Sequence, residues 1–90
     1  MMVTVRMAIF GQVQGVFFRR AAKEEADKLC LVGWARNRDD GSVEILAIGS
    51  KEKLEKFVKW CKKGPPFAKV EKVEVDWSET EETFGSFEIL

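Results

Sequence analysis

Apolar and polar residues alternate at the start of the chain. Val3, Val5, Met7 and Ile9 interleave with Thr4, Arg6 and Ala8, the period of two that places one set on a single face of a strand. Gly11 to Gly15 interrupts this pattern, and from Phe18 the period lengthens. Phe18, Ala22, Ala26 and Leu29 share one helical face, while Lys23, Glu24, Glu25, Asp27 and Lys28 mostly avoid it. This first helix is expected to end near Cys30. Val32 to Asn37 reads as a second strand. Arg38-Asp39-Asp40-Gly41 reads as a tight turn with an Asp-Gly hairpin signal. Val43, Ile45 and Ala47 alternate with Glu44, Leu46 and Ile48 in a third strand, which Gly49 stops.

Ser50 is a good N-cap for a second helix, in which Leu54, Phe57, Val58 and Cys61 follow the i, i+3, i+4, i+7 rule. Glu52 with Lys56 and Glu55 with Lys59 are spaced to pair along its exposed side. Gly64, Pro65 and Pro66 end it. Val73, Val75 and Trp77 mark a fourth strand. Ser78 to Gly85 is expected as an acidic connection, and Phe87 and Ile89 as a short last strand. The order is β-α-β-β-α-β plus a terminal strand. The expected fold is therefore α+β: a ferredoxin-like sandwich with two helices on one face of an antiparallel sheet.

Ninety residues suit a single domain spanning positions 1–90. Fifteen cations balance fifteen anions, so no overall field draws the chain to nucleic acid or to a membrane surface. No apolar run approaches the ~18 residues of a membrane span, and the N-terminus lacks signal-peptide character. The cytoplasm is the expected compartment and a monomer the simplest state. Cys30 and Cys61 are expected as reduced, partly buried thiols, with a disulfide left open by the spacing. Two cysteines without any histidine fall short of a zinc ligand set, and neither a metal nor another cofactor is expected.

Composition leaves one route to anion chemistry, which is local geometry. Residues 11 to 20, GQVQGVFFRR, join a strand to a helix. Glycine at 11 and 15 permits positive φ or a close approach to a ligand. Successive amides in such a turn can form an anion-binding nest, and the helix N-terminus adds free N–H groups and a partial positive charge. Arg19 sits in the first helical turn, where the helix dipole disfavours a cation. An oxyanion held between nest and guanidinium would give that placement a reason, because the arginine fork can bind two phosphate oxygens. On spacing alone, a tight turn with solvated arginines stays open. The stretch is neither a Walker loop nor a dinucleotide fingerprint.

Gly11-Gln12-Val13-Gln14-Gly15-Val16-Phe17-Phe18-Arg19 resembles the first signature of the acylphosphatases. Gly33-Trp34-Ala35-Arg36-Asn37, followed by Gly41-Ser42-Val43 and Gly49, resembles the second. Gly64-Pro65-Pro66-Phe67-Ala68-Lys69-Val70 is similar to that family's helix-to-strand connection. The resemblance spans essentially the whole chain. It implies hydrolysis of the carboxyl-phosphate bond of small acyl phosphates to a carboxylate and inorganic phosphate. It also implies that Arg19 binds the phosphoryl group, that Asn37 orients the attacking water, and that the amides of Gly15, Val16, Phe17, Phe18 and Arg19 cradle the phosphate oxygens. Two positions depart from the pattern: Ala22 replaces a frequent hydroxyl residue, and Cys30 stands where a helix-ending glycine is common.

The implied chemistry suits a chain without histidine. An acyl phosphate expels a carboxylate whose conjugate acid has a pKa near ~4, so the leaving group needs no general acid. Phosphoryl transfer asks mainly for positioning and charge stabilisation. Trp34 is expected in the core, and Arg20, Arg36 and Arg38 on solvated surfaces. The alternative is a non-catalytic anion-binding or interaction module on the same fold. An RNA-recognition domain shares the sandwich, but the third strand, SVEILAIG, lacks the aromatic and basic residues that class requires.

Overall fold

A computed structural model of the chain describes residues 2–79 and 84–90. The elements are β1 (Val3–Gln12), α1 (Phe18–Lys28), β2 (Val32–Asn37), β3 (Val43–Gly49), α2 (Lys51–Lys63), β4 (Lys69–Glu79) and β5 (Phe87–Ile89). They form one five-stranded sheet in the order β4-β1-β3-β2-β5. The β1–β3, β1–β4 and β2–β3 pairings are antiparallel, whereas β5 joins β2 in parallel. The expected sandwich is present, with a parallel edge that alternation within a three-residue strand could not announce.

The period-two pattern accounts for the buried face. Val5, Met7 and Ile9 of β1 and Val43, Ile45 and Ala47 of β3 are fully excluded from solvent. Phe18, Ala22 and Ala26 of α1, with Leu54, Phe57, Val58 and Cys61 of α2, cover them in one core cluster that also takes in Phe87. Each large apolar side chain so buried contributes on the order of 1.5–3 kcal/mol. Aromatic rings tie the layers together. Phe18 meets Trp60 edge-on at 5.7 Å, Trp60 stacks on Phe57 at 6.2 Å, and Phe57 meets Phe87 edge-on at 6.0 Å. Burial pushes the Cys61 thiol pKa well above its ordinary value, with the nearby charge of Glu25 adding to the effect.

Several expectations change. Trp34 is not a core residue. It shares the helix-free face of the sheet with Arg36, because Gly33 and Ala35 take the buried positions of β2. Arg6 and Arg36 lie over its ring at 5.9 and 5.4 Å, and both pair with Glu44 between them. Helix α1 ends at Lys28, near Cys30 as expected. Cys30 takes a left-handed conformation (φ 58°) and is exposed, so only Cys61 is a buried thiol, and both are free. β4 runs through Ser78 and Glu79, so the acidic connection expected from Ser78 begins later, and its residues 80–83 lie outside the described residues. Glu52 with Lys56 and Glu55 with Lys59 form no ion pair among the described residues, whereas Lys23–Asp27 on α1 does, at 3.3 Å.

Candidate active site

Gly11 and Gly15 divide their labour. At Gly11 (φ 128°) the register of β1 against β4 shifts, and a Cβ would lie 2.0 Å from the Lys69 carbonyl oxygen. Gly11 is therefore required by the approach of β4, not by a ligand. At Gly15 (φ 75°) a Cβ would meet nothing within 4 Å. The chain then enters α1 through Phe17, whose φ of 63° and ψ of 26° are also left-handed and whose side chain caps nothing.

This bend opens a cavity of ≈340 Å³ lined by Val13, Gly15, Phe17, Phe18, Arg19, Arg20, Asn37 and Ile89. Arg19 comes from the start of α1 and Asn37 from the end of β2, yet they share this wall. Asn37 alternates with Ala35 and Gly33 and so belongs to the helix side of the sheet, at the exposed end of its strand. Val16 does not line the cavity, since its side chain packs against the core. Phe18 forms part of the floor and is almost wholly buried. Arg20 is exposed, as expected, and also lines the cavity.

The electrostatics favour an anion. No side-chain cap and no acidic residue occupy the first turn of α1. Among the described residues no Asp or Glu pairs with Arg19 or Arg20, and no other group engages the main-chain amides from Gly15 to Arg19. Two cations beside unpaired amides at the positive end of a helix dipole make a strongly anion-selective corner. Among the described residues, no three His, Cys, Asp or Glu side chains lie close enough to hold a metal ion.

Three contacts absent from the sequence reading align the parts. The Gln14 side-chain amide donates to the Arg38 and Ser42 carbonyl oxygens, at 2.8 and 2.9 Å, tying the bend to the hairpin that carries Asn37. Arg19 Nη1 donates to the Leu90 main-chain oxygen at 2.7 Å, and the Leu90 amide donates to the Ala35 carbonyl at 2.9 Å. Lys23, one turn on, donates to the Phe87 carbonyl at 2.7 Å. The hairpin itself is braced by Asp40, which accepts from the Ser42 hydroxyl and amide, and these bonds lower its carboxyl pKa. The polar Gln14 inside the glycine-rich run was a usable signal for the first contact. Main-chain acceptors left none for the others.

Comparison with known proteins gives the family. The acylphosphatase family model matches residues 5–89. The chain belongs to the acylphosphatase family. It is 47% identical to an acylphosphatase of Pyrobaculum islandicum over 98% of this chain and 94% of that one. It is 48% identical to one of Thiobacillus denitrificans over 97% of this chain and 96% of that one. The crystal structure of acylphosphatase from Bacillus subtilis superposes with a TM-score of 0.95 at 45% identity, covering 98% of each chain. The activity of the chain is that of an acylphosphatase.

Proposed function

We propose that the chain hydrolyses the carboxyl-phosphate bond of small acyl phosphates at this cavity without a metal. The observation that carries the reading is the meeting of Arg19, Asn37 and Gly15 on one wall at the N-terminus of α1. Arg19 holds the dianionic phosphoryl group through guanidinium nitrogens not given to Leu90. The amides of Gly15 to Arg19 receive the remaining oxygens, a fixed arrangement of donors that needs no reorganisation as charge shifts. Asn37, whose side chain has no protein partner among the described residues, directs a water molecule at phosphorus from the hairpin side. The bond from phosphorus to the carboxyl oxygen breaks as the water oxygen attaches. The carboxylate leaves with the electron pair, and the water proton passes to a phosphate oxygen. The weak basicity of the carboxylate makes protonation of the leaving group unnecessary.

The chain acts in this reading as a monomeric single domain in the cytoplasm. Two features support it: both thiols are free, and the long edge strand β4 carries Lys69, Glu71, Lys72, Glu74 and Asp76, charges that discourage pairing between sheets. The decisive experiment is hydrolysis of benzoyl phosphate in excess chelator. Turnover is expected there and should largely vanish in Arg19→Ala. Phosphate binding by calorimetry with no turnover in the unaltered chain would instead make this an anion-binding module, and full turnover in Arg19→Ala would remove the assigned role.

A further inference from the structure

Phe17 presents a physical puzzle. Among the described residues it is one of two non-glycine residues with positive φ, at 63°, a conformation that costs an L-residue with a side chain on the order of 1 kcal/mol. The residue is 71% exposed, although the next one, Phe18, is 2% exposed. Glycine would relieve the strain and remove the exposed ring at one stroke. A bulky aromatic in this state sits at a functional edge more often than at an idle one. Phe67, equally bare, lines no part of the cavity, whereas Phe17 does.

The cavity wall has two chemical halves. Arg19, Arg20, Asn37 and Gly15 make the polar half, and Val13, Phe17, Phe18 and Ile89 the apolar half. Val13 and Phe18 are buried floor, so the solvent-facing apolar groups are Phe17 and Ile89, the latter 41% exposed. An acyl phosphate has the same division, a dianion at one end and an acyl group at the other. With the phosphoryl group at the amides and guanidinium, its acyl group must emerge toward the rim.

We propose that Phe17 and Ile89 form an apolar seat for the acyl group, so that the site favours acyl phosphates with aromatic or bulky apolar acyl groups over short or charged ones. The inference rests on the placement of the phosphoryl group proposed above. A ring seated there removes roughly 50 Å² of apolar surface from water, about a tenfold gain in affinity at the usual coefficient. The gain is made before the transition state as well as in it, so it belongs mainly in KM.

The test is the ratio of kcat/KM for benzoyl phosphate to kcat/KM for acetyl phosphate, measured for the unaltered chain and for Phe17→Gly, Phe17→Trp and Ile89→Thr. Phe17→Gly should lower the ratio about tenfold, through KM for benzoyl phosphate. Glycine suits the backbone at this position, so the variant folds, and its melting temperature checks that. Phe17→Trp should keep the ratio within about twofold, and Ile89→Thr should lower it about threefold. An unmoved ratio in Phe17→Gly overturns the inference, as does an equal fall for both substrates, which would place Phe17 in the phosphate cradle alone. If the unaltered chain hydrolyses neither substrate, the proposed function falls and the inference with it.

Discussion

The two helices treat their N-termini in opposite ways. At α2, Ser50 accepts a hydrogen bond from the Lys53 amide at 3.4 Å, and Glu52 places a negative charge in the first turn. Both features satisfy the helix from within the chain. At α1, Phe17 caps nothing, the first turn carries no acid, and Arg19 and Arg20 add positive charge where the dipole already supplies it. Each choice at α1 is worse for the isolated helix than its counterpart at α2. The difference teaches where the chain holds a ligand-ready end. One terminus is closed by its own residues, and the other stays open to a cavity in which an anion can complete it.

The comparison can be broken most sharply at Arg19. Arg19→Ala should lower kcat/KM for benzoyl phosphate by about 10³-fold, the upper range for one charge-stabilising donor, while the melting temperature moves little. Activity within tenfold of the unaltered chain would show that the open terminus does not depend on its cation. Asn37→Ala should lower kcat by about 10²-fold and leave calorimetric phosphate binding within about threefold, because water and phosphate are held by different elements. Equal loss in both measurements would place Asn37 on the phosphate itself.

Arg20→Glu makes α1 resemble α2. A carboxylate in the first turn complements the dipole, so stability should rise by about 0.5 kcal/mol. The same charge enters the cavity wall, and inhibition by inorganic phosphate should weaken about tenfold. A variant that gains stability with phosphate affinity intact would separate Arg20 from the site. The smallest effect belongs to the closed terminus: Ser50→Ala should cost roughly 0.5–1 kcal/mol in urea denaturation with kcat/KM unchanged. A matching fall in kcat/KM would mean that the two ends are not independent.

Much of this contrast is legible in the chain alone. Ser50 ahead of the Leu54, Phe57, Val58 and Cys61 stripe is a local N-cap pattern, and an arginine in a first turn after a glycine-rich bend is a local anomaly. Strand β1 is legible because its alternation reports which face is buried, whereas β3 is buried on both faces and is marked by its apolar run between Ser42 and Gly49. Trp34 lies on the opposite pleat face from Asn37, as expected, but the buried face of β2 is the one that carries Gly33 and Ala35. Cys30 ends an apolar pattern that predicts partial burial, but the chain turns left-handed at this residue and leaves it exposed. At Gly11 the sequence leaves two reasons open, a positive φ or a close approach to a ligand, and the approach of the Lys69 carbonyl assigns it to the junction of β1 with β4.

By itself the sequence determined the order of elements, the two motifs and the residues able to bind an anion, because each is written in neighbouring side chains with a fixed period or spacing. Tertiary structure decided how those residues meet. The contact of Arg19 with Leu90 spans 71 positions, and Leu90 is itself placed by Ala35 in β2. Both of those acceptors are main-chain oxygens, which every residue possesses alike. No side-chain alphabet can mark them, so the alignment of the guanidinium with the bend exists only once β5 has docked beside β2.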